Sequence, residues 1–165
     1  IIPAEPPPHA AALPEIELEQ IELNLNLGSA DLGTLKAKSI QADLALGSLY
    51  ADELQTGQLD ATLALGSAEL GTVQAERVTI ENAQGDVTIS RLVGASQVQV
   101  TDQLGNIALT LREKADGYSV QAACGLGSIT VSGAKQASPY SANSKAANAV
   151  ILDAALGDIT LNFEE

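Results

Sequence analysis

The side chains of this chain that could do chemistry are mostly carboxylates. Two Gly-Asp pairs, Gly85-Asp86 and Gly157-Asp158, carry the residue type that rings calcium in Gly-Gly-x-Gly-x-Asp repeats, where successive carboxylates converge on one hard cation. Here the pairs are isolated, and each Asp is expected to bond the backbone of its own turn. Asp31 and Glu69 hold equivalent repeat positions, so stacking could bring carboxylates together as glycoside hydrolysis requires, but no aromatic platform for a sugar ring accompanies them. Thr88, Thr130 and Thr160 also share that position, as an ice-binding row would need, and Asp31, Tyr50 and Glu69 interrupt it. His9 is the one histidine and lies in a Pro-rich tail, which removes Ser-His-Asp, Cys-His and His-based metal chemistry. Cys124, the one cysteine, shares a column with Leu25, Leu44, Leu63 and Ala154 and is expected to be a buried, inert thiol. No catalytic, cofactor-binding or metal-binding residue is assigned. The expectation is a protein that is not an enzyme and needs no cofactor.

What would position these groups is a repeat. A Gly followed by a small polar residue recurs at Gly28-Ser29, Gly47-Ser48, Gly66-Ser67, Gly85-Asp86, Gly105-Asn106, Gly127-Ser128 and Gly157-Asp158, with successive spacings of 19, 19, 19, 20, 22 and 30 residues. Seven positions before the Gly stand Ile21, Ile40, Leu59, Val78, Val98, Val120 and Val150, an unbroken apolar and largely β-branched column. Five before it stand Leu23, Ala42, Ala61, Ile80, Val100, Ala122 and Leu152. Two after it stand Ala30, Leu49, Ala68, Val87, Ile107, Ile129 and Ile159, and four after it Leu32, Ala51, Leu70, Ile89, Leu109, Val131 and Leu161. Apolar positions two apart are the strand period, so these columns should face inward. A further column seven after the Gly (Leu35, Leu54, Val73, Leu92) predicts a third short strand in the early repeats.

Units this short, without helical patterning, exclude propeller blades and leucine-rich repeats. The fold class expected is all-β: a single-domain parallel β-solenoid of about seven coils of about 19 residues, right-handed, roughly 34 Å long at about 4.8 Å per coil. The core must be aliphatic, because the 165 residues include no Met or Trp, one Phe and three Tyr. Within such a core Ile40→Asp should unfold the domain, whereas Lys36→Ala should be close to neutral.

Residues 1–14, with five of the six prolines, read as a linker or stalk, and residues 15–165 as the domain. Glu15, Glu17, Glu19 and Glu22 should line the outer face of the first strand and repel edge pairing. The run 133–147 (GAKQASPYSANSKAA) breaks the repeat and should be a long loop thrown out from the last coils, the best candidate binding feature. Arg112 to Gly117 should be a shorter polar turn feeding Tyr118.

A formal charge of −13 disfavours nucleic acid and anionic membrane surfaces. No apolar stretch approaches the roughly 18 residues that cross a bilayer. With no Met at its start, the chain is expected to be an excerpt or processed product with a possible upstream anchor.

At Gly85 to Ile89 (Gly-Asp-Val-Thr-Ile), Gly127 to Val131 (Gly-Ser-Ile-Thr-Val) and Gly157 to Leu161 (Gly-Asp-Ile-Thr-Leu) the sequence resembles the bacterial adhesin-labelled family of β-strand repeat proteins, over about Glu15 to Glu165. The hallmark of that family is a recurring Gly-Asp-Ile-x-Leu unit, and this chain departs in using Gly-Ser where Gly-Asp is usual in the early coils. The resemblance implies a β-solenoid domain of unknown function, often exported and placed beyond a membrane segment, with no functional residues to carry over. The expected function is an extracellular, cell-surface or envelope-associated binding module whose partner is an unidentified protein or envelope polymer. The alternatives are a scaffold or sensory domain of an envelope-stress membrane protein, and a carbohydrate-active solenoid.

Overall fold

The computed structural model describes residues 17–164; the Pro-rich segment 1–14 lies outside the described residues. The strands are β1 (Leu18–Leu25), β2 (Ala30–Asp31), β3 (Thr34–Leu46), β4 (Leu49–Leu65), β5 (Ala68–Gln84), β6 (Val87–Val93) and β7 (Gln97–Leu104). They continue as β8 (Ile107–Leu111), β9 (Tyr118–Leu126), β10 (Ile129–Val131), β11 (Ala134–Gln136), β12 (Tyr140–Ala142), β13 (Asn148–Leu156) and β14 (Ile159–Phe163). All fourteen belong to one sheet, and a 3-10 turn at Ala115–Gly117 is the one helical element described. The protein is all-β, and its strands stack in parallel in a solenoid-like arrangement except for β11 and β12, which pair antiparallel.

Register follows the repeat. Ile21 lies opposite Ile40, Ile40 opposite Leu59, Leu59 opposite Val78 and Val78 opposite Val98, so each column becomes a line of stacked side chains. The inward columns are buried through the middle of the stack, with Ile40, Leu59, Val78, Ile80, Leu49, Ile107 and Ile159 at or near zero exposure, while Ile21, Leu23 and Leu32 at the first level and Val131 at the last are half-buried. The third column pairs Leu35 with Leu54, Leu54 with Val73 and Val73 with Leu92, and all but Leu35 are fully buried. Glu17, Glu19 and Glu22 face solvent on and beside β1, and Glu19 accepts a hydrogen bond from Lys38 Nζ at 2.7 Å.

The last two repeats do not stack in sequence order. β13 pairs with β7 on one side and β9 on the other, and β14 with β8 and β10. The final repeat is therefore wedged between the fifth and the sixth. The spacing of 22 has a physical reason: after β8 the chain must rise two levels of about 4.8 Å rather than one, leaving an empty level for β13 and β14. Residues 112–117, including the 3-10 turn, span that extra step.

The run 133–147 is not a loop thrown out from the stack. Ser132 and Gly133, both at positive φ, make a two-residue hairpin turn that folds β11 antiparallel onto β10. β12 then pairs antiparallel with β9. Ser138 between them binds both backbone groups of Cys124: its Oγ accepts from the Cys124 N–H (2.9 Å) and donates to the Cys124 carbonyl (2.8 Å). The sequence break is a cap, satisfying strand edges that would otherwise invite pairing with another chain.

Beneath that end, Tyr118 feeds from the polar turn into the core. Its hydroxyl donates to the Ala95 carbonyl at 2.6 Å and lies 2.8 Å from Glu113 Oε2, and its ring packs at a tilt on Phe163. Burial first, and Glu113 second, raise its pKa.

Candidate binding surface

Every repeat turns its corner at the Gly. The Gly47 N–H donates to the Leu65 carbonyl at 2.9 Å, and a Cβ built on Gly47 would overlap the Gly28 carbonyl oxygen. The same overlap recurs at each later corner, so backbones pass here at a distance only glycine permits.

The polar residue after each Gly forms a ladder. Ser48, Ser67 and Asp86 each donate a backbone N–H to the Ser Oγ of the preceding level at 3.1 Å. Asn106 N–H donates to Asp86 Oδ1 (2.8 Å), Asp158 N–H to Asn106 Oδ1 (2.8 Å) and Ser128 N–H to Asp158 Oδ1 (2.7 Å). Asp86 and Asp158 thus bond the next level and not their own turns, correcting the sequence expectation. Asp158 is acidified by the Ser128 N–H and hydroxyl that point at it.

Immediately before each Gly lies a column that alternation alone would not select. Leu27, Leu46, Leu65, Gln84, Leu104, Leu156 and Leu126 succeed one another along the stack, and the six leucines are 43 % to 80 % exposed. Ala45, Ala64 and Ala155 beside them are exposed too. The result is an apolar ridge along one corner, backed by the Ser, Asn and Asp ladder. In a chain of charge −13, the four columns from two before the Gly to one after it hold two charges, Asp86 and Asp158, both engaged in the ladder. Leucines exposed in a line, here interrupted once by Gln84, are the surface feature that marks an interaction site, whereas scattered ones are ordinary.

On the adjoining face, Asp31, Tyr50, Asp52 and Glu69 line an open groove of ≈ 630 Å³ with Gly71 and Thr88. Tyr50 stands between Asp31 and Glu69 in register, so the two carboxylates of that column are two levels apart. In stacking order Thr88 is separated from Thr160 by Ala108, while Thr160 and Thr130 are neighbours.

Two further polar residues escaped the sequence reading. Asn82 and Asp102 occupy the inward column that holds Leu44 and Leu63, three before the Gly, and are opposed in register within the core. Asn82 Nδ2 donates to the Gly85 carbonyl at 2.8 Å, and Asp102 Oδ1 accepts from the Leu104 N–H at 3.1 Å. Asn82 Oδ1 and Asp102 Oδ2 have no hydrogen-bond partner among the described residues. Cys124, in the same column, is buried and free as expected.

A stack of parallel strands with glycine corners and an open, uncharged ridge defines a β-repeat protein whose distinctive features lie on its surface. Residues 11–162 match the family model described as Toastrack DUF4097, and the chain belongs to that family, a domain of unknown function. The match lends no support to an adhesin role or to Gly-Asp-Ile-x-Leu as a hallmark. No curated protein and no solved structure matches the chain.

Proposed function

We propose that this chain is a non-enzymatic, adhesin-like binding module of the bacterial envelope or cell surface, which engages a protein or envelope polymer along its leucine ridge. The ridge carries the reading: six half-exposed leucines in one column, on a backbone whose levels glycine contacts and side-chain ladders tie together, are a costly surface to present to water unless something covers it. In the same reading the strands wind as a right-handed solenoid of about seven coils, the hand that parallel crossovers nearly always take. Asp31 and Glu69 stand two levels of about 4.8 Å apart with Tyr50 between them, wider than the carboxylate pair of a retaining glycosidase, which leaves a carbohydrate-active reading little to build on.

The two ends favour a second reading. β11 and β12 close one end, while β1 is paired on one edge among the described residues, so a membrane protein's strand could dock there and use the rod as a scaffold.

The test is retention of the purified chain on isolated bacterial envelopes, compared with a triple variant L46S/L65S/L104S. The variant should be retained at least 10-fold less while its melting temperature is unchanged. Equal retention of both would overturn the ridge as the binding surface.

A further inference from the structure

We infer that the leucine ridge is a self-complementary surface that pairs two copies of this chain antiparallel, with a two-fold axis passing through Gln84. The inference rests on the ridge being an interaction surface and names its occupant.

Symmetry along the ridge carries it first. In stacking order the column reads Leu27, Leu46, Leu65, Gln84, Leu104, Leu156, Leu126, with three leucines on each side of one amide. A two-fold axis at Gln84, perpendicular to the stack, sets Leu65 on Leu104 of the second copy, Leu46 on Leu156 and Leu27 on Leu126. It brings the two Gln84 amides together, each with a donor and an acceptor for the other. Any shift by one level would set Gln84 against leucine, leaving a polar group in an apolar seam, so the amide fixes register as a single polar residue does in a coiled-coil seam.

Charge selects the antiparallel direction. Glu17 to Glu69 contains nine acidic residues and two lysines, net −7, whereas Gln97 to Glu164 contains six acidic and four basic residues, net −2. A parallel pair would set the −7 halves side by side. The antiparallel pair sets each against the −2 half of its neighbour, with the Asp31, Tyr50 and Glu69 row alongside Thr130, Thr160 and Ala108 of the second copy.

Area sets the strength. Six steps of about 4.8 Å and a strip four residues wide at about 3.3 Å per residue give roughly 400 Å² per copy. About 800 Å² in total falls below the standard size of stable interfaces and within that of weak, reversible ones.

The measurement is sedimentation equilibrium of the whole 165-residue chain from 10 μM to 1 mM, with cysteine cross-linking in a Cys124→Ala background. A reversible dimer with a Kd between about 10 μM and 1 mM is expected. Leu65→Ser with Leu104→Ser should weaken it at least 10-fold without altering the melt, and Gln84→Glu should weaken it at neutral pH and restore it in acid. Gln84→Cys should link to itself, and Leu46→Cys to Leu156→Cys rather than to itself. A monomer throughout the range, a dimer indifferent to the ridge, or self-linking of Leu46→Cys would each overturn the pairing. If the chain stays monomeric while L46S/L65S/L104S still loses envelope binding, the pairing fails and the binding reading stands. If dimers form as described and envelope retention ignores the ridge, the binding reading fails alone.

Discussion

Asn82 and Asp102 oppose each other on neighbouring strands inside the core, and each holds one side-chain oxygen that no group among the described residues satisfies. A proton on Asp102 Oδ2 would turn one of these two acceptors into a donor. Burial pushes the Asp102 carboxyl up to about 6; the Leu104 N–H and the Asn82 amide pull it down, and the nearby Asp86 charge adds to the rise. The fold therefore favours the neutral acid at this position.

The consequence for stability has a definite sign. Below the ordinary value of 3.8 the group is protonated whether the chain is folded or not, and it adds no penalty. As pH rises to about 6 the unfolded chain ionises while the folded one keeps its proton, so stability falls; above that the penalty is constant, at most about 3 kcal/mol. Urea denaturation at pH 4.5, 6.0 and 7.5 should show stability falling through this window, and Asp102→Asn should remove that part of the slope. The background from net charge −13 has the same sign and persists in the variant, so the difference between the two proteins is the readout; parallel slopes would show that Asp102 titrates normally.

The glycine corners should separate sharply from other glycines. A Cβ on Gly157 would meet the Gly105 carbonyl oxygen, at a φ of 145° that side chains rarely adopt, whereas one on Gly117 meets nothing within 4 Å. Gly157→Ala should cost more than about 3 kcal/mol, and Gly117→Ala should fall within about 1 kcal/mol of the wild type. Equal effects in thermal melts would show that the close backbone approach is not real.

Ile40, Leu59 and Val78 announced an inward column because burial and strand period act on every repeat alike. The order of the last two repeats was not legible: Gly127 and Gly157 head units of the same pattern, either could follow Gly105, and only pairing decides. The 22-residue spacing was the available hint. Leu46 and its column escaped because an alternating pattern assigns leucine to the inside, and these leucines sit where the strand ends and the corner begins. Asn82 and Asp102 were visible as polar breaks in a column of leucines, a signal strong enough to have been read.

The cap can be tested through Cys124. Ser138 Oγ serves both its N–H and its carbonyl, so Ser138→Ala should cost about 1–3 kcal/mol by leaving two backbone groups unsatisfied. It should also raise the rate at which Cys124 reacts with a soluble disulfide reagent, because the segment covering β9 opens more often. A reaction rate unchanged at equal stability would mean that the cap does not depend on Ser138.

Truncation distinguishes the observed order from a sequential one. In a stack built in chain order, the last repeat contacts one neighbour, and its removal costs one repeat and one interface. Here residues 148–164 lie between β7 and β9 on one face and between β8 and β10 on the other, so ending the chain at Ala147 removes two interfaces and leaves a vacant level beneath the sixth repeat and its cap. Closing that level would require Arg112 to Gly117, which spans two steps, to span one, and would set Asn106 of the ladder against Ser128 without Asp158 between them. The truncated chain should lose the cooperative transition of the sixth repeat together with the cap, seen as a urea m-value reduced by well over one-seventh and as aggregation through the exposed edge of β7. A reduction near one-seventh, with the chain still soluble, would show that the sixth repeat had settled directly onto the fifth.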